Sequence, residues 1–119
     1  MTETIQRMGL NTFRREERIR RPADFQRVSK EGEQRQTPHF RVSTCSNLLP
    51  YRRLGIKVGR GVGSAVQRNR LKRLLREFFR RNKGEWPSGL DFVIAAKKGA
   101  AGLDYWQVSG ELKGIFREL

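Results

Sequence analysis

The chain has 119 residues, enough for one domain with a modest hydrophobic core and too few for two. It carries 26 Lys plus Arg against 12 Asp plus Glu, a formal charge of +14, and such an excess makes a folded molecule repel itself unless a polyanion compensates. No apolar run approaches the roughly 18–20 residues of a membrane-spanning helix and the N-terminus lacks an apolar signal core, so a soluble, unexported protein with no membrane partner is expected.

The charge is concentrated. Residues 1–51 hold 10 basic and 6 acidic side chains, residues 52–83 hold 12 and 1, and residues 84–119 hold 4 and 5, so the middle segment supplies +11 of the +14. Charge gathered this way reads as a binding face, and the excess of Arg over Lys there favours phosphate, which a guanidinium fork grips bidentately. Cys45 is the only cysteine, so no intrachain disulfide forms and a reducing, cytoplasmic setting is the simplest one. His39, the only histidine, lies six residues away, a poor spacing within a strand for a thiol–imidazole dyad, and Cys45 is read as structural.

Along the chain, residues 1–12 have neither periodicity nor apolar content and are expected to form a mobile arm, with a single domain over 13–119. A short helix is predicted from Pro22 to about Glu31, with Pro22 in its first turn, Phe25 and Val28 on one face, and Gly32 ending it at positive φ. Residues 33–46 read as two strands broken near Pro38, since Phe40, Val42 and Thr44 alternate with Arg41, Ser43 and Cys45. A third strand follows, in which Leu54, Ile56 and Val58 alternate with Gly55, Lys57 and Gly59. Gly59, Gly61 and Gly63 mark a tight strand-to-helix connection that lacks the Gly-Lys-Ser/Thr ending of a phosphate loop.

Ser64 and Gln67 have capping-box spacing, so a long helix should begin at Ala65 and end near Asn82 to Gly84. Leu71, Leu74, Leu75, Phe78 and Phe79 form its apolar stripe. At 100° per residue Asn69, Arg73, Arg76 and Arg80 lie together opposite that stripe, flanked by Arg68 and Arg70. Phe92, Val93, Ile94, Ala95 and Ala96 read as a strand buried on both faces. Asp104 can cap a last helix with the stripe Tyr105, Val108, Leu112, Ile115, Phe116 and Leu119. The order is αβββαβα, an α/β sandwich.

Ordinary exposed helices alternate charge sign to gain i, i+4 pairs, whereas the long helix has only Glu77 to relieve its cations. That arrangement costs stability unless phosphates approach, so this helix is the candidate nucleic-acid face. A helix-turn-helix reading is disfavoured because a strand and glycines stand where its partner helix would be.

The blocks Leu54-Gly55-Ile56-Lys57-Val58, Val62-Gly63-Ser64-Ala65-Val66-Gln67-Arg68-Asn69-Arg70-Leu71-Lys72-Arg73 and Arg76-Glu77-Phe78-Phe79-Arg80 resemble the signature of the bacterial ribonuclease P protein family. Asp24-Phe25-Gln26-Arg27-Val28 with Gly32 resembles that family's first helix, and Asp91-Phe92-Val93-Ile94-Ala95 its last strand. The resemblance implies a four-stranded mixed sheet of the ribosomal protein S5 domain 2-like kind, with a left-handed βαβ crossover. It implies an endoribonuclease subunit that helps remove the 5′ leader of precursor tRNA, with ribonuclease P RNA and precursor tRNA as partners and no obligate protein partner.

Residue by residue, the resemblance places Arg60, Arg68, Asn69, Arg70, Lys72, Arg73, Arg76 and Arg80 against the catalytic RNA. It places Phe25, Arg27, Lys30, Arg41, Ser43 and Lys57 in a leader cleft between the first helix and the sheet. Phe25 would stack on an unpaired base there, and a core role for it is the competing reading. Ser29 and Ser43 stand where many members carry an aromatic, and Gly61 follows Arg60 where a basic residue is common. No paired carboxylates or His/Lys acid–base set form a catalytic or metal site in the protein. The resemblance assigns the hydrolytic chemistry to the RNA subunit, which would hold the Mg²⁺ cofactor.

Overall fold

The computed structural model describes residues 13–117; the arm expected over 1–12 and the stripe residue Leu119 lie outside them. Helix α1 (Pro22–Glu31) has Pro at its first position and buries Val28. Gly32 ends it at φ −80° rather than at the positive φ expected. The glycine is required for another reason: a Cβ there would sit 2.4 Å from the Thr44 carbonyl oxygen and 2.5 Å from that of Val28.

Strands β1 (Glu33–Gln36) and β2 (Phe40–Ser46) form an antiparallel hairpin in which Glu33 faces Thr44 and Gln36 faces Arg41. Strands β3 (Arg53–Lys57) and β4 (Leu90–Ala96) complete a sheet of order β1-β2-β4-β3. β4 is antiparallel to β2 and parallel to β3. Helix α2 (Ala65–Asn82) links β3 to β4 and begins at the predicted capping box, with Ser64 Oγ accepting from Gln67 N at 3.2 Å and Gln67 Oε1 from Ser64 N at 2.9 Å. Helix α3 (Tyr105–Arg117) begins in the same way, Asp104 Oδ1 accepting from Gln107 N at 2.8 Å.

The sheet is the middle of three layers. On one face Phe40, Val42, Leu54, Phe92 and Ile94 meet the inward stripes of α2 and α3 in the main core. At its centre Trp86, from the α2–β4 connection, stacks on Phe116 at 3.7 Å between ring centroids and lies about 5 Å from Phe79 and Phe92. On the other face α1 closes a smaller cluster of Ile19, Val28 and Val93, with Phe25 and Cys45 partly buried against it. β4 is therefore enclosed on both faces, as its unbroken apolar run predicts.

One polar residue shares that enclosure. Burial alone would raise the pKa of Asp91, but the Arg53 guanidinium, bonded at 2.8 Å to Oδ1 and 2.7 Å to Oδ2, together with Asn47 and Arg27, holds its carboxyl below the ordinary value. These bonds fasten α1, β3 and the loop after β2 to the central strand. A carboxyl whose folded pKa is depressed contributes stability above its unfolded pKa, and that contribution is lost as pH falls through the folded value. Asp91→Asn is expected to lose about 3–5 kcal/mol in urea unfolding at neutral pH, because two guanidinium groups are left beside a neutral amide. The gap from wild type should narrow below pH 3.8, the ordinary carboxyl value; a gap that stays constant down to pH 2.5 would show that Asp91 is not the titrating group.

Candidate nucleic-acid interface

Helix α2 presents its buried face, Leu71, Leu75, Phe78 and Phe79, to the sheet. The remaining circumference sorts its cations by side. Arg68, Lys72 and Arg76 recur at i, i+4 and i+8 along one flank, Asn69 and Arg73 occupy the exposed crest, and Arg70 and Arg81 lie on the other flank.

The flanks differ in what they touch. Arg70 donates to the carbonyl oxygens of Leu103 at 2.9 Å and Ala101 at 3.3 Å, anchoring the turn that precedes α3. Arg81 lies over the Tyr105 ring at 4.8 Å and donates to Glu77 at 2.8 Å. Arg80, expected to face RNA, also donates to Glu77 and is the chief reason its carboxyl is held below the usual range. The single acid of the helix is thus saturated by its own neighbours. Among the described residues no carboxylate or carbonyl partner is bonded to Arg60, Arg68, Lys72, Arg73 or Arg76, and the Arg68 Nε is buried with no acceptor.

Lys72 and Arg76 form one wall of a groove of about 260 Å³ at the β3 edge of the sheet, with Leu54 and Ile56 as its floor. The opposite wall is Phe25 of α1 together with Arg18 and Arg20. The residues expected in two separate RNA surfaces therefore meet around one strand edge. Arg18 and Arg20 were not singled out in the sequence. The available signal was the alternation Arg18-Ile19-Arg20, which buries Ile19 and lets its amide donate to the Leu54 carbonyl at 2.9 Å, extending the β3 edge.

On the α1 face, strand register places Arg41, Ala95 and Lys57 in one row across β2, β4 and β3. Arg41 and Lys57 are exposed on either side of a small residue, about 10 Å apart at two strand spacings. The next row is Ser43, Val93 and Gly55. Gly55 is the seat of Phe25: a Cβ on it would lie 2.6 Å from the ring. Phe25 is half-buried, so one part of its ring packs on the small cluster while the rest lines the groove. Lys30 is exposed in the last turn of α1.

Two residues expected in the cleft are placed differently. Ser43 is only 4% exposed, because α1 covers its row of the sheet. Arg27 turns inward, bonding Asp91, the Ser46 carbonyl at 3.1 Å and Cys45 Sγ at 3.3 Å, so its guanidinium compensates a buried carboxylate. His39 pairs with Glu111 at 2.9 Å rather than with Cys45.

Among the described residues, three further carboxylates are already engaged by partners. Asp91 is held by Arg53 and Arg27, and Glu17 by Lys83 at 2.7 Å and 2.8 Å. Burial would raise the pKa of Glu111, but hydrogen bonds from Thr37 and His39 keep it low and occupied. Among the described residues no cluster of three or more His, Cys, Asp or Glu side chains has metal-binding geometry, and no helix is long and apolar enough to cross a membrane.

The family model described as Ribonuclease P matches residues 13–119. The ribonuclease P protein component of Thermotoga maritima is 41% identical over 112 residues, covering 91% of this chain and 96% of that protein. That of Syntrophobacter fumaroxidans is 42% identical over 109 residues, covering 91% and 92%. Among solved structures, the ribonuclease P protein of Thermotoga maritima superposes with a TM-score of 0.79 at 40% identity over 87% of this chain and 97% of the other. That of Staphylococcus aureus superposes with the same score at 34% identity over 86% and 94%. A helix with a row of cations that no acid neutralises, a half-buried aromatic at a strand edge and a match from Phe13 onward thus converge, and the chain belongs to the ribonuclease P protein family.

Proposed function

We propose that this chain is the protein subunit of a bacterial ribonuclease P, binding the catalytic RNA through α2 and the 5′ leader of precursor tRNA through the α1 face. The holoenzyme would cleave the precursor endonucleolytically and leave the mature tRNA 5′ end, with Mg²⁺ and the hydrolytic chemistry on the RNA. The observation that carries this reading is the row Arg68, Lys72 and Arg76 beside Arg73, four cations with no bonded partner among the described residues. Phosphate oxygens supply the missing acceptors. In the chain Arg60 precedes the helix start, Asn69 and Arg80 lie on the crest beside the row, and Arg70 lies on the opposite flank.

The α1 face suits an unpaired strand. A flat ring at Phe25 stacks on any base, which tolerates varied leader sequences, and Lys57, Arg41 and Lys30 offer charge to the backbone. Association follows from electrostatics and stacking, and the protein supplies position rather than a nucleophile or a base.

Reconstitution with the ribonuclease P RNA of Thermotoga maritima tests the assignment: the protein should restore precursor cleavage at magnesium concentrations too low for the RNA alone. Absence of rescue would refute it. Arg68→Ala, Arg73→Ala and Arg76→Ala should each weaken RNA binding and reduce the slope of log affinity against log salt by about 0.7–0.9, the effect of one lost phosphate contact. Arg81→Ala, whose guanidinium is held by Glu77 and Tyr105, should leave the slope within error of wild type; equal slope changes in all four variants would show that the helix acts only through its total charge.

Gly55→Val separates the two surfaces. The added side chain must displace the Phe25 ring, at a stability cost of about 1–3 kcal/mol. Binding of single-stranded leader to the holoenzyme should weaken while affinity for the catalytic RNA stays unchanged, and a parallel loss of both would contradict the division between the α1 and α2 faces.

A further inference from the structure

The outer face of α3 is exposed in a way the fold does not require. Its inward stripe is Val108, Leu112, Ile115 and Phe116; Trp106, Gly110, Lys113 and Arg117 fall together on the opposite side. Trp106 is 73% exposed, and among the described residues its only ring neighbour is Tyr105, met edge-on at 5.3 Å. The other tryptophan, Trp86, is 4% exposed in the core, so the chain has the means to bury an indole and does not do so here.

The rest of this face is bare of apolar cover. Glu111 is turned toward Thr37 and His39, which leaves Lys113 and Arg117 as the charges that the described part of the helix carries on its outer side. Glu85 shares a shallow depression with them and is ion-paired to neither. A Cβ on Gly110 or Gly114 would meet nothing within 4 Å, so internal packing explains neither glycine, although each weakens a helix relative to alanine.

The location completes the case. α2 and α3 lie side by side on the same face of the sheet, joined by Arg70 on the Leu103 carbonyl and Arg81 over Tyr105. Their outward faces therefore continue into one another across the flank of Arg70 and Arg81, and the exposed crest residue Arg73, which has no bonded partner among the described residues, lies between that flank and the row Arg68, Lys72 and Arg76.

We propose that the outer face of α3 extends the RNA footprint of α2: an unpaired base of structured RNA stacks on Trp106, and the neighbouring ribose-phosphate chain passes over Gly110 and Gly114 toward Lys113 and Arg117. This rests on the RNA-binding reading of α2. A charge of +14 opposes a second copy of the chain as the occupant and rewards a polyanion.

The two tryptophans make the test direct. In the full-length protein titrated with the ribonuclease P RNA of Thermotoga maritima, acrylamide quenching of the exposed indole should fall on binding, and the change should vanish in Trp106→Phe. Trp106→Ala should weaken RNA affinity about 5- to 150-fold. Gly110→Leu with Gly114→Leu should raise the melting temperature yet weaken RNA binding, a combination that misfolding cannot produce. If the wild type binds this RNA and the three variants bind equally well, the α3 contact is wrong while the α2 assignment stands; if the wild type does not bind it at all, both fail. Sedimentation showing a dimer that Trp106→Ala disperses would assign the face to a second copy instead and overturn the proposal.

Discussion

Buried carboxylates demand cations, and this demand divides the positive charge of the chain into two populations. Asp91 takes Arg53 and Arg27, and Glu17 takes Lys83. Arg53 and Lys83 are drawn inward from the segment that looks almost uniformly cationic in the sequence, and Arg27 from α1. Removing a partner would strand a charge in low dielectric, so these pairs are fixed parts of the fold. What remains outside is a smaller and better-defined set, and its definition depends on the inner set being complete.

Periodicity carried most of the architecture. The capping box at Ser64, the stripe from Leu71 to Phe79 and the apolar run of β4 are local patterns, and local patterns need no knowledge of what lies across the fold. The α2 cations were legible for the same reason, since helical angle alone separates Arg73 from Leu71. Arg27 was not, because its partner Asp91 lies 64 residues away and nothing in either segment announces the pairing. Trp86 and Glu17 share that difficulty: each sits in a connection without periodicity, yet one centres the aromatic core and the other anchors the end of α2 through Lys83. Gly32 shows a subtler failure, in which the right residue was assigned the wrong cause. Its backbone is ordinary, and the constraint comes from a carbonyl of β2 that no single-element pattern can foresee.

The groove at the β3 edge follows from topology. Placing β4 between β2 and β3 leaves β3 at the rim, where its side chains are reached from both faces of the sheet. α1 arrives over one face with Phe25 and α2 over the other with Lys72 and Arg76. The segment Arg18–Arg20 then covers part of the strand edge, and its own arginines add to the wall. Two surfaces assigned separately from sequence thereby share a border, and in the proposed complex a nucleic acid leaving one would pass directly onto the other.

Repulsion among the outward cations gives this arrangement its energetic sense. Arg68, Lys72 and Arg76 are spaced one helical turn apart, the spacing at which like charges destabilise a helix. Glu77 cannot help them, since Arg80 and Arg81 already occupy it. The helix is held instead by its buried aromatic face and its capping box, interactions that do not depend on salt. Stability and the proposed binding thus reside on opposite sides of one helix: the inward side supplies the free energy that tolerates the strain, and the outward side keeps its charges uncompensated, a strain that bound phosphates would relieve. A carboxylate introduced among these three residues would stabilise the isolated protein and, in the proposed complex, weaken RNA binding for the same electrostatic reason.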